Sequence, residues 1–197
     1  MEMLVAVSIF SVLVVVSMDV FIRAQRAQRE AAALEKVQDV TRFILTRMAQ
    51  EFHTGHIDYD YYKTALPRTI SATAITSDTL ALKNSEDTTL LFRKEESGIC
   101  GTGGATSPCM AMILDPGGTN QSEMVTPDGY TVEKFTVVVT PSADSLTVDP
   151  TPTLNDYPFD LQPRITIMMT VKGTVAGLRR PITVPIQTTL SSREYVR

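Results

Sequence analysis

An α+β fold is predicted for this chain. A long N-terminal α-helix, apolar in its first half and amphipathic in its second, packs on a head of antiparallel β-sheet. Three observations predict it. Residues 3–18 read MLVAVSIFSVLVVVSM, without a charge. From Ala24 to Phe52 there is neither Gly nor Pro, and alanine is abundant. Beyond Leu66-Pro67, short runs rich in Thr, Val, Ile and Phe follow one another between Gly, Pro, Asn and Asp clusters, with no helical pattern between them.

The apolar run comes first. Its polar side chains are Ser8, Ser11 and Ser17, and a helical serine bonds its own backbone. Asp19 interrupts, and Val20, Phe21 and Ile22 extend the run to the length that spans a bilayer, about 17–25 residues. A helix apolar on every side suits lipid or a helical bundle rather than water. It does not read as a secretory signal peptide, because the sequence beyond it stays helical instead of breaking into small residues and extended chain.

Apolar residues then recur at Leu34, Val37, Val40, Phe43, Ile44, Met48 and Phe52, the spacing of one buried stripe. Helix breakers arrive at Gly55. One continuous helix is therefore expected over residues 1–53, roughly 75–80 Å long at 1.5 Å per residue. A head of residues 54–197 cannot bury a rod of that length, so about half must project and find shelter in lipid or among other copies.

Charge is divided along the rod. Residues 1–22 carry Glu2 and Asp19 alone, whereas residues 23–51 carry six basic and four acidic side chains. Arg23, Arg26 and Arg29 repeat every three residues just past the apolar run. They form a membrane-edge stripe suited to anionic lipid or to acidic groups on a neighbouring chain. Asp19 stands four residues before Arg23, the spacing of a local ion pair.

Strands are expected at Arg68–Ile75, Thr79–Leu82, Thr88–Lys94, Met110–Leu114, Val132–Thr140, Arg164–Lys172 and Ile182–Leu190. Lys83–Asp87 reads as a five-residue hairpin loop. Pro181 and Pro185 make the last strand an edge or an interrupted one. Ser142–Pro163, with four prolines, reads as a long surface connection.

The whole chain of 197 residues is 43% hydrophobic and 20% charged, with net charge −4, which excludes wholesale disorder and a generally basic nucleic-acid binder. Two His and two Cys leave little material for a metal cluster or a nucleophile–base pair. His53 and His56 lie three apart with Asp58 and Asp60 nearby, but Gly55 breaks the helix between them. They read as helix-end residues, with no metal expected there. Asp115–Asn120 and Pro127–Gly129 read as turns rather than calcium loops. Cys100 and Cys109 bracket a glycine-rich loop, and a disulfide pinning it is expected. No nucleophile elbow, zincin helix, dinucleotide fingerprint or phosphate loop is present, so the chain reads as a non-enzyme without cofactors.

With Glu2 at its head, Met1-Glu2-Met3-Leu4-Val5-Ala6-Val7 followed by the apolar-then-amphipathic helix resembles the type IV pilin family, whose glutamate Glu2 matches. The closing Gln187–Arg193 resembles the last strand and tail of minor pilins and pseudopilins. The resemblance implies a basic leader, a glycine at the cleavage point and first mature residues ahead of this stretch. It implies that Glu2 pairs with the terminal amine of a neighbouring subunit. It also implies a subunit held in the bacterial inner membrane, single-pass, with an extracytoplasmic head, cut by prepilin peptidase and taken by the assembly machinery into a filament with other pilin or pseudopilin subunits. The Arg/Gln/Ala-rich segment 23–33 and the head size point to the minor pseudopilin J or minor pilin W group. Without a neighbour's amine, Glu2 reads as a headgroup-level acid favoured by the helix dipole. The alternative for the whole chain is an extracytoplasmic binding module on an ordinary single-pass anchor. By the positive-inside rule, Arg23, Arg26 and Arg29 behind the span favour a cytoplasmic head.

Overall fold

The structure, a computed structural model, describes residues 2–64, 68–70, 73–96, 100, 108–114, 121–142, 162–174 and 180–192. Helix α1 runs unbroken over Glu2–Thr54, about 80 Å at 1.5 Å per residue. It buries Ala33, Val37, Thr41, Ile44, Met48 and Phe52, spaced 4, 4, 3, 4 and 4 residues apart along one line of the helix. Two members of the expected stripe are corrected: Leu34 and Phe43 are exposed. Each sits one position, about 100° of rotation, from a buried residue and falls off the covered line. Small side chains take their place, and Thr41 satisfies its buried hydroxyl by donating to the Val37 carbonyl at 2.7 Å.

The helix ends where the chain must pass close to a strand. A Cβ on Gly55 would stand 2.2 Å from the Lys83 carbonyl oxygen, so only glycine admits the pairing of β1 (His56–Ile57) with β4 (Thr79–Lys83). A short helix α2, Tyr59–Thr64, follows. Asp58 caps it, accepting from the Tyr61 backbone N–H at 2.9 Å.

The expected strand Arg68–Ile75 is two strands, β2 (Arg68–Ile70) and β3 (Ile75–Ser77), folded back with Ile70 opposite Ile75. The register pairs residue 68 with 77 and 70 with 75, so the run doubles back as an antiparallel pair instead of extending as one strand. The remaining strands are β5 (Thr89–Glu95), β6 (Cys109–Leu114), β7 (Gln121–Met124), β8 (Tyr130–Thr140), β9 (Arg164–Gly173) and β10 (Ile182–Ser191). They agree with the expected strands to within two residues at each end, apart from β7, and β1 was also unexpected.

Instead of one sheet there are two, each of five antiparallel strands, in the orders β1-β4-β5-β6-β7 and β10-β9-β8-β3-β2. They meet where β4, β5 and β6 touch β8, while α1 lies along β9 and β10. A single apolar cluster joins the helix stripe to both sheets. At Gly173 an added Cβ would lie 2.6 Å from the Val37 side chain, so the sheet approaches the helix to backbone contact there. A bulge at Glu133 in β8 shifts the register between Val132 and Lys134, and so keeps Val132, Phe135, Val137 and Val139 all buried. Strand β10 is an uninterrupted edge, with Pro185 opposite Thr170. Within the hairpin, the Asn84 side chain accepts from the Glu86 and Thr88 backbone N–H groups, and Asp87 takes φ +58°. The long connection Ser142–Pro163 and the loop Asp115–Asn120 lie almost wholly outside the described residues, as do residues 193–197.

Candidate assembly and membrane-contact site

Every residue from Glu2 to Ala32 is exposed. Among them Leu4, Phe10, Leu13, Val15 and Phe21 present large apolar side chains to the surroundings, and none of the described residues of the head covers them. This stretch is long and apolar enough to cross a membrane. Residues 3–22 rise about 30 Å, the thickness of a bilayer's hydrocarbon core. The serines suit that setting. Ser8, Ser11 and Ser17 donate to the carbonyls of Val5, Val7 and Leu13 at 2.8, 2.8 and 2.7 Å, so none presents an unsatisfied hydroxyl.

Glu2 lies exposed in the first turn of α1, where the free backbone N–H groups and the helix dipole favour a carboxylate. Asp19 forms the local pair expected of it, with Arg23 Nε at 2.9 Å from Asp19 Oδ2. Arg26 and Arg29 are exposed and, among the described residues, have no acid within ion-pair distance. The structure does not bring Glu2 near the arginines: Arg23 follows Glu2 by 21 residues, about 30 Å along the helix.

Just past the stripe the helix meets the head. Ala33 is the first buried residue. Beside it an open groove of about 770 Å³ runs between Ala27, Glu30, Ala31 and Leu34 on the helix and Arg180, Pro181 and Ile182 at the start of β10.

Cys100 and Cys109 form a disulfide with Cα atoms 5.6 Å apart, both residues buried. It ties residue 100 to the start of β6, opposite Glu95 at the end of β5; the loop it closes lies outside the described residues. His53 and His56 are both exposed, His53 in the last turn of α1 and His56 in β1. Among the described residues no three His, Cys, Asp or Glu side chains converge as metal ligands. Pro127–Gly129 is a turn, with Gly129 at φ +86° and the Tyr130 N–H donating to the Pro127 carbonyl.

Asp58, noted in the sequence only as an acid near the histidines, and Tyr62, which the sequence did not single out, prove to be internal ties. The carboxylate of Asp58, besides capping α2, accepts from the Thr89 hydroxyl of β5 at 2.8 Å. The buried Tyr62 hydroxyl donates to the Thr79 carbonyl at 3.0 Å and accepts from the Ala81 N–H at 2.9 Å, clamping α2 to β4. Burial raises the Tyr62 phenol well above its usual range. At the surface, the hydrogen bond from Lys63 lowers Asp60, and the one to Asp87 raises Lys83. A lone Asp or Tyr near a turn carries no sequence pattern that names its partner on a distant strand, which is why these ties were not legible beforehand.

Compared with family models, with curated proteins and with solved structures, the chain matches none. The site is therefore read from its own geometry.

Proposed function

We propose that this chain is a pilin-like structural subunit. It resides in a bacterial inner membrane through its N-terminal helix, with the head on the extracytoplasmic side, and then packs that helix among those of other pilin or pseudopilin subunits in a type IV pilus or type II secretion pseudopilus. The observation that supports this best is the uncovered apolar half of α1, rigidly continuous with a half docked on a disulfide-bearing β head. A helix that serves only as an anchor needs to end near the bilayer surface, whereas this one runs on as a single rod into the core of the head. Prepilin peptidase processing and delivery by the assembly machinery belong to the same reading, as does a minor, tip-proximal place in the filament.

Glu2 is the residue assigned to assembly. In hydrocarbon a carboxylate at the helix centre costs about 2.5–3.5 kcal/mol on insertion scales, and a neighbour's terminal amine offsets that cost while fixing axial register. Glu2→Ala is expected to leave membrane insertion intact and to abolish recovery of the chain in sheared filaments, or secretion that depends on it, in the native host. Unchanged filament recovery or secretion with Glu2→Ala would count against the assembly role.

A second reading is favoured by Arg23, Arg26 and Arg29: an ordinary single-pass anchor carrying a binding module, with the arginines governing orientation. Protease protection of the head in intact spheroplasts tests whether the arginines hold it in the cytoplasm, against the extracytoplasmic head of the filament reading. An accessible head suits the filament subunit, and a protected, cytoplasmic head excludes it.

A further inference from the structure

We propose that Arg26, Arg29 and Arg180 form a cationic collar that binds the headgroups of anionic phospholipids where α1 leaves the bilayer. The inference uses only the membrane-resident state of the chain and holds for a filament subunit and for an anchored module alike.

The apolar rod fixes the depth. With residues 3–22 filling about 30 Å of hydrocarbon, residues 23–29 occupy the next ~10 Å, which matches the headgroup layer on one side of a bilayer. Three guanidinium groups fall in that layer. Asp19 holds the first at 2.9 Å. Arg26 and Arg29 have no acid within ion-pair distance among the described residues, although Glu30 stands four residues from Arg26.

The fold adds the fourth cation. Arg26 precedes the buried residues Ala33 and Val37 by seven and eleven positions, so it stands on the helix line that the head covers lower down. Next to that line, the start of β10 brings exposed Arg180 to the open groove opposite Ala27, Glu30, Ala31 and Leu34, so the cations stand around the rod at one level rather than on one face. Arg180 follows Arg26 by 154 positions in sequence, and only the docking of β10 beside α1 places it at the membrane-proximal end of the head. Among the described residues, the acids beside this collar on the helix are Asp19, occupied by Arg23, and Glu30, fewer than the cations.

Phosphate is the partner that this chemistry fits. Guanidinium presents paired N–H donors to phosphate oxygens, and arginine sheds water more readily than lysine does. While the chain is in the membrane, the groups at this depth are lipid phosphates. Anionic lipid is favoured over zwitterionic lipid because its charge is not internally balanced.

The test uses the full chain reconstituted in phosphatidylcholine vesicles with a trace of spin-labelled phosphatidylglycerol or spin-labelled phosphatidylcholine, reading the fraction of each probe immobilised at the protein. The wild type is expected to enrich the anionic probe by about fivefold for each arginine that reaches the surface. The enrichment should shrink between 0.1 M and 1 M salt, where the Debye length falls from about 10 Å to about 3 Å. The R26Q/R29Q/R180Q variant should bring the two probes close to parity. R42Q, an exposed change about 20 Å below Arg29 along the helix, should leave the enrichment unchanged. Equal immobilisation of the two probes by the wild type, or enrichment that survives the triple variant, overturns the proposal. So does a triple variant that keeps its lipid ratio but loses cross-linking between copies, since the arginines would then serve acidic groups of a neighbouring chain. The probe ratio does not depend on Glu2, so failure of the assembly reading leaves it unmoved.

Discussion

Residues 33–52 and residues 3–22 of α1 are equally helical and equally long, yet one stretch sends six side chains into a core and the other sends none. The difference lies in the arrangement of apolar groups more than in their amount. The lower half confines them to one line and surrounds that line with Lys36, Asp39, Arg42 and Arg47, so a sheet can cover the line while water takes the rest. The upper half spreads them over every face, and no single sheet can cover a cylinder. A rod of this kind makes its fold with half its length and leaves the other half for an environment supplied from outside.

The largest effect that sharpens this contrast is a pair of truncations. Phe52 is 1% exposed at the foot of the covered line. Phe52→Ala should cost the head about 3–5 kcal/mol, from lost burial and the cavity left behind. Leu13→Ala removes a comparable apolar side chain from the uncovered half and should leave the head's urea midpoint in detergent where it was. A shift with Leu13→Ala comparable to that of Phe52→Ala would mean that the upper half is coupled to the head and would break the comparison.

The contrast was legible in the sequence because both halves state it in periodicity. The continuous helix, the antiparallel head and the hairpin, its loop expected at Lys83–Asp87 and found one residue on at 84–88, follow from helix formers without a breaker and from β-branched runs between turn residues. The β8 bulge was not among the expectations, although the step of three from Val132 to Phe135 in a strand of period two is its trace. Less legible was anything decided by distance through space. Two sheets rather than one, Leu34 and Phe43 left outside, and Ala33 and Thr41 taken inside depend on which strands pair and on where the second sheet meets the helix, and no local pattern records that. The same holds for the candidate site. Glu2 and the stripe of Arg23, Arg26 and Arg29 stand out along the chain, whereas Arg180 joins them only through the placement of β10.

A second effect, smaller than the core truncation, separates head from rod by a covalent link. Removing the disulfide with Cys100→Ser and Cys109→Ser together should destabilise the head by about 2–3 kcal/mol in the chain-entropy account of a short loop. Membrane insertion through residues 3–22 should be unaffected. Urea unfolding of the full chain in detergent, compared with and without reductant for the wild type, checks the first expectation, and carbonate extraction of membranes checks the second. Loss of insertion in the double variant would show that the head's integrity governs the rod.

The smallest effect tests whether the head also keeps its own response to pH. The Tyr62 hydroxyl is enclosed between the Thr79 carbonyl and the Ala81 N–H, and burial holds its proton well above the usual range. Tyr62→Phe leaves both backbone groups without that partner and should cost about 1–3 kcal/mol near neutral pH. In the unfolded chain the phenol ionises near pH 10, whereas in the folded head it stays protonated. Above that pH the unfolded state binds fewer protons than the folded one, so the stability that Tyr62 contributes is fully present below about pH 10 and declines as pH rises towards the folded value, by at most about 1.4 kcal/mol per pH unit. The gap in urea midpoint between the wild type and Tyr62→Phe should therefore be constant from neutral pH to about pH 9 and should narrow above pH 10. A gap that stays constant to pH 11 would mean that the phenol is solvated when folded. It would remove the clamp between α2 and β4 from the list of things that make the head a unit independent of the rod's upper half.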